Sequence, residues 1–196
     1  MSKRSKKPLE MPSRADLENE LHREKYKKRY WQVLRNTVFT LITVAAVAVL
    51  VATLLLPVLE IYGTSMSPSL KEGDIVVSVK SADFKHGDII AFYYNNKILC
   101  KRVIGKTGDV INIDEEGNVT VNEQLLDEPY LTEKAFGDCN IELPFQVPEK
   151  RYFVMGDHRS TSVDSRNTAL GCVSEEQVVG KIVFRVWPFN SFGKMK

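Results

Sequence analysis

Histidine and cysteine are scarce in this chain, with three of each among 196 residues. The cysteines, Cys100, Cys139 and Cys172, include no Cys-x-x-Cys pair. That argues against a structural zinc site, and no metal is implied. Their odd number leaves at least one thiol free or bonded to another chain; a Cys139–Cys172 bridge is allowed but not specified. Internal repeats are absent, which excludes a repeat architecture. Charge is missing altogether from Thr37 to Leu59, "TVFTLITVAAVAVLVATLLLPVL", a run of 23 residues.

As a helix that run reaches roughly 34 Å, against about 30 Å of bilayer hydrocarbon. It is apolar on every face, so a buried core helix is the weaker reading. A cleavable signal peptide has a shorter apolar region behind a short basic start. Here 36 residues precede the run, and the expectation is an uncleaved anchor over 37–58. Residues 1–36 hold 11 Lys and Arg against 5 Asp and Glu, a net +6. The remainder holds 16 basic and 20 acidic residues, a net −4. Basic flanks stay in the cytoplasm, which predicts a cytoplasmic tail and an extracytoplasmic domain from residue 59 onward. "KKRYW" also has the composition of a nucleic-acid-binding tail, but basic residues beside an anchor already suit anionic lipid, and no nucleic acid is expected as a partner. Ser13 to Arg35 reads as a helix, with Ser13 as cap and Asp16 at the capping-box position. Tyr30 and Trp31 fall where interfacial aromatics gather.

Beyond residue 59 no long helical period occurs, apart from a short turn at "SEEQV". Short runs rich in Val, Ile, Phe and Tyr recur instead: 74–79, 88–94, 97–105, 109–113, 118–122, 151–156 and 180–187. Gly, Asp, Asn and Pro separate them, which predicts a mostly antiparallel β domain over 59–196. "DEEGNV" reads as a hairpin turn.

Three stretches carry chemistry. In "GTSMSPSLKEGD" (63–74), Ser65 stands in a loop stiffened by Pro68. A serine nucleophile needs a base. His22 lies in the tail and is excluded, and His86 lies in the turn "KHGD". His158 neighbours Asp157, but adjacent residues of an extended segment point opposite ways, so Asp157 is poorly placed to orient it. In "ILCKRVIG" (98–105), Lys101 and Arg102 face opposite sides of a strand. One of them points to the buried side, or both snorkel to solvent. Arg keeps its proton, whereas a desolvated Lys can lose it. The third stretch, "MGDHRSTSVDSRNTALG" (155–171), groups Asp157, Arg159, Asp164 and Arg166 with several hydroxyls. It reads equally as a solvated loop or as a buried network around a neutral lysine.

"SMSPSL" followed by "GD", then "KRVIGKTGD", then "GDHRSTSVDSR" stand in the order and rough spacing of type I signal peptidases, with one N-terminal anchor, "HGDII" and the terminal "WPFNSFG" added. From about residue 38 onward the chain resembles that family, and the short stretch between the last two motifs resembles its compact Gram-positive form. The resemblance implies a mostly β Ser/Lys hydrolase that removes signal peptides from exported preproteins and uses no cofactor. Ser65 matches the nucleophile, Lys101 the general base and Ser162 the serine that hydrogen-bonds the lysine. Asp164 and Arg166 match a supporting ion pair, with Asp157 in the same loop. It also implies substrates with small residues before the cut and a place near the export translocon. Ile61, Met66 and Cys100 are the expected pocket residues, with substrate added as an extended strand beside 58–63 and 97–100. Two positions depart from the pattern. Gly63 stands where Gram-negative members have an oxyanion-donating serine, leaving the Ser65 N–H helped by another backbone group, the Thr64 hydroxyl or water. His158 and Ser160 stand where Asn and Asp are usual.

Three other readings each fit part of the sequence. A self-cleaving repressor shares the Ser/Lys pattern but needs a DNA-binding N-terminus where this chain has its apolar run. A sortase-like Cys/His enzyme would use Cys172 or Cys100. A non-catalytic surface module would tolerate loss of Lys101.

Overall fold

Ser13 opens the first element as its side chain predicts. Its hydroxyl accepts from the Asp16 N–H at 3.2 Å and donates to the Asp16 carboxylate at 2.6 Å. Helix α1 then runs unbroken over Arg14–Leu55. The computed structural model describes residues 13–55, 57–80 and 83–195, so the first twelve residues of the basic tail lie outside the described residues. In the apolar part of α1, Thr40 and Thr43 donate their hydroxyls back to the carbonyls of Asn36 and Phe39, at 2.9 and 2.8 Å. This leaves neither hydroxyl unpaired on an apolar surface. The segment Arg14–Val51 is long and apolar enough to cross a membrane, with a mean hydropathy of 1.9 in its most apolar window. The helix ends at Leu55 rather than at residue 58. Pro57 has no N–H to continue the ladder, and Val58 and Leu59 enter a strand.

The chain divides into two compact units, residues 1–52 and 53–196. Among its described residues the second contains twelve strands: β1 (Val58–Glu60), β2 (Ile75–Val79), β3 (Ile89–Tyr94), β4 (Lys97–Gly105), β5 (Val110–Ile113), β6 (Val119–Val121), β7 (Gln124–Leu125), β8 (Phe145–Gln146), β9 (Arg151–Met155), β10 (Val173–Ser174), β11 (Val178–Trp187) and β12 (Gly193–Lys194). Every pairing between them is antiparallel. The larger sheet has the order β1-β2-β11-β3-β4-β9-β10, with β12 paired to β11, and the smaller has β7-β6-β5-β8. The fold is therefore mostly antiparallel β behind one long N-terminal helix. The expected hairpin closes between β5 and β6, where Gly117, at φ +82°, donates to the Asp114 carbonyl at 2.9 Å. "SEEQV" forms a short 3-10 turn over Glu175–Gln177.

The larger sheet is covered on both faces. In β3, Ile89 and Ala91 pack with Ile61, Met66, Leu70, Val76 and Ile182. Their neighbours Ile90 and Phe92 pack on the other side with Phe84, Val103, Tyr152 and Val154. A third cluster joins Ile104, Phe153 and Met155 to Ile111, Ile113, Val119 and Val121 of the smaller sheet. Burial on both faces decides the fate of the two cations in β4. Alternation sends Lys101 and Arg102 to opposite faces, but neither face is solvent. Both are buried, at 3% and 2% exposure, and the snorkelling reading is excluded.

Candidate active site

The loop after β1 is fixed from below. Ile61, Met66 and Leu70 are buried in the core, and the Leu70 N–H donates to the Met66 carbonyl at 2.9 Å. Gly63 takes φ +83°, a left-handed conformation that a side chain disfavours. Between these anchors Ser65 sits half-buried, and its carbonyl accepts from the His158 N–H at 3.0 Å. A cleft of about 680 Å³ opens beside it, lined by residues 59–63, Ser65, Met66 and 97–100. Ile61, Met66 and Cys100 thus all line one cleft.

Lys101 is the next residue along β4, and its Nζ donates to Ser162 Oγ at 2.8 Å. Gly156, just past β9, joins the pieces. A Cβ there would lie 2.5 Å from the Ser65 carbonyl oxygen and closer still to Ser162 Oγ. Only glycine lets the backbones carrying Ser65, Ser162 and residue 156 approach so closely.

Three arginine–carboxylate pairs surround this point. Arg102 is bidentate to Asp157, at 2.9 and 2.6 Å, and also donates to the Gly87 carbonyl and Ser69 Oγ. Arg166 is bidentate to Asp164, at 2.8 and 2.9 Å, and donates to the carbonyls of Phe136 and Arg159. The other Asp164 oxygen role is backbone support, since Oδ2 also accepts the Gly156 N–H at 3.0 Å. Arg159 pairs with Glu128 through both Nη atoms and donates from Nε to the Gly156 carbonyl at 3.1 Å. Each buried arginine thus has a matching carboxylate. Lys101 does not: among the described residues no carboxylate is in ion-pair contact with it. Desolvation dominates and lowers its pKa from 10.5 to about 8. The more distant charges of Asp164 and Arg166 act in opposite directions.

The other candidates are occupied elsewhere. Asp157 holds Arg102, and His158 Nδ1 lies 2.7 Å from Thr161 Oγ1, so the two do not form a His–Asp pair. His86 pairs with Asp109 at 2.7 Å. All three cysteines are free, so the allowed Cys139–Cys172 bridge is not formed. Burial pushes the Cys100 thiol up to about 12 and the Cys172 thiol to about 11. Neither supplies the thiolate that a sortase-like mechanism requires. Among the described residues no group of three or more His, Cys, Asp and Glu is placed to hold a metal ion.

The sequence reading missed Glu128, Tyr130 and Gly156. Glu128 and Tyr130 lie in "LDEPYL", which has no periodicity to mark the first as buried or the second as half-buried. Gly156 opens "GDHRSTSVDSR", but only the close approach of Ser65 and Ser162 shows its purpose.

The β unit thus carries a half-buried serine beside an open cleft and a buried lysine on the strand that helps line it. The signal peptidase family, peptidase S26, matches residues 34–187. Signal peptidase I of Bacillus licheniformis is 35% identical over 180 residues, covering 82% of this chain and 94% of that protein. Signal peptidase IB of Staphylococcus aureus (strain COL) is 38% identical over 153 residues, covering 67% and 78%. A crystal structure of a signal peptidase I from Enterococcus faecalis V583 aligns at 29% identity with a TM-score of 0.44, covering 50% of this chain and 96% of that one. The chain belongs to the signal peptidase family, as a type I enzyme of the Gram-positive kind. Its activity is hydrolytic: it cleaves signal peptides as a serine protease, and its substrates are preproteins.

Proposed function

We propose that Ser65 is the nucleophile, that neutral Lys101 is its general base, and that α1 anchors the enzyme in a membrane. One observation carries the dyad: of the four buried cations among the described residues, Lys101 alone lacks a carboxylate partner, and burial lowers its amine to about 8. At pH 7.5 roughly a quarter of such amines are neutral, against about one in a thousand at the ordinary value. Ser162 supports the neutral amine without adding charge. Asp164 is held by Arg166, which limits how far it raises the lysine.

In this mechanism Lys101 takes the Ser65 proton as Oγ attacks the scissile carbonyl, and the Ser65 N–H receives the oxyanion. The tetrahedral intermediate collapses to an acyl-enzyme as Lys101 hands that proton to the departing amine of the mature protein, which leaves the lysine neutral again. Lys101 then draws a proton from water for deacylation. The signal peptide lies in the cleft as an added strand. β1 ends the sheet, and residues 97–100 of β4 pair with β3 alone because pairing with β9 begins at Arg102. Both segments therefore carry an unpaired edge along the cleft. Side chains of alternate substrate residues face Ile61, Met66 and Cys100. Preprotein cleavage by Ser65→Ala and Lys101→Ala variants is the test: both lose activity, and retained cleavage by either sinks the dyad.

The basic flank of α1 supports an orientation with the N-terminus in the cytoplasm and the β unit outside, where preproteins emerge from the translocon. Trp187, Phe189 and Phe192 are exposed on the β unit and give it an affinity for lipid surfaces.

A further inference from the structure

We infer that Glu128 and Tyr130 are positioning residues for the cleavage reaction, acting on the nucleophile through Arg159 and Gly156. The inference rests on the Ser65/Lys101 reading above. Neither residue lines the cleft, and neither lies in the motifs that carry the dyad.

Glu128 is buried and grips both Nη atoms of buried Arg159. Arg159 donates from its third nitrogen, Nε, to the Gly156 carbonyl, and its own carbonyl accepts from Arg166 Nη2 at 2.8 Å. Gly156 is the residue against which the Ser65 carbonyl and Ser162 Oγ close. Its N–H is held by Asp164 and its C=O by Arg159, so two ion pairs fix the two ends of one residue.

Tyr130 links the Arg159–Glu128 pair to the Arg102–Asp157 pair. Its hydroxyl donates to Glu128 Oε1 at 2.8 Å. Its ring lies under the Arg102 guanidinium, 3.8 Å from centroid to Cζ. Burial, and then the Glu128 charge, push the phenol's pKa up, so it remains a donor. One turn of chain, "DEPY", thus locks Arg102–Asp157 on the strand that carries Lys101 to Arg159 on the loop that carries Gly156 and Ser162. Such a fully paired buried network sets position rather than merely adding stability, and small displacements of reacting groups are costly in rate.

The test uses the full-length chain in detergent with a preprotein substrate, with kcat and KM measured per folded enzyme by near-UV circular dichroism. Glu128→Gln leaves Arg159 with one weak acceptor. The expected result is a kcat loss on the order of 10- to 100-fold with KM within about twofold. Glu128→Asp, which keeps the carboxylate, recovers part of that loss. A merely structural role changes the folded fraction and leaves kcat per folded molecule alone. Wild-type kcat in folded Glu128→Gln, or a change confined to KM, overturns the inference. If Glu128→Gln does not fold, Tyr130→Phe decides. It keeps the ring under Arg102 and removes only the hydroxyl, and unchanged kcat there also overturns the inference. Ser65→Ala run alongside separates the two readings: cleavage by that variant defeats the dyad, whatever Glu128 does.

Discussion

Replacing Lys101 by methionine is expected to stabilise the protein while abolishing its activity. The folded state holds this amine at a pKa of about 8, against 10.5 ordinarily. Below pH 8 the lysine is charged in both the folded and the unfolded chain, and the folded chain bears the cost of burying the charge. At about 1.4 kcal/mol per pKa unit, that cost is roughly 3 kcal/mol. Methionine removes it, fills similar space, and leaves Ser162 Oγ without its donor, which costs about 1 kcal/mol. The net gain is about 1–3 kcal/mol, raising Tm by roughly 3–9 °C for a unit of this size. The gain depends on pH in a definite direction. Between about 8 and 10.5 the unfolded chain binds more protons at this site than the folded one, so wild-type stability rises with pH across that window. The advantage of Lys101→Met is therefore full below pH 8 and shrinks toward pH 10.5. Thermal unfolding of the full chain in detergent at pH 6.5 and at pH 10 measures both values. A variant less stable than wild type at pH 6.5, or one with the same advantage at both pH values, would refute the claim that burial lowers this lysine.

Gly156→Ala drives a methyl group into Ser162 Oγ and the Ser65 carbonyl; the expected loss of cleavage is on the order of 100-fold, and near-normal cleavage by the purified variant contradicts the close packing. Lys101→Arg keeps the charge but cannot act as a base, so its preprotein cleavage is expected to match that of Lys101→Ala. A cleavage-site library is expected to favour small residues at the first and third positions before the cut; tolerance of Phe or Lys at both contradicts strand addition along β1 and β4. External protease on spheroplasts should reach sites in 59–196 and spare an N-terminal tag; a protected C-terminal part instead reverses the proposed orientation.

Most of the strand pattern was legible because its signals are local. Val, Ile and aromatic runs bounded by Gly, Asp and Asn correspond to β2 through β6, β9 and β11 within a residue or two. The short strands β7, β8, β10 and β12 were not, since two residues carry no period. Val58 was misassigned to the apolar helix because composition cannot distinguish a helix end from the start of an apolar strand; Pro57 was the available signal. The pairing of Lys101 and Arg102 shows a deeper limit. Alternation gives their opposite directions, but whether either direction is wet depends on how the smaller sheet and the 155–171 loop fold back, which is tertiary. Asp157 illustrates the same point, since its partner is Arg102, 55 residues away in sequence, rather than its neighbour His158. Glu128 and Tyr130 were invisible for that reason: their partners come from distant segments, and only the assembled network gives them a role.

The central claim is that a neutral Lys101 serves as base to Ser65, and the pH dependence of kcat/KM on a preprotein substrate tests it most directly. Activity is expected to rise with pH as Lys101 deprotonates, with an acid-side apparent pKa near 8. An acid limb near the ordinary histidine value of about 6.5, or a rate flat from pH 6 to 9, would contradict the account and make His158 the leading candidate for the base.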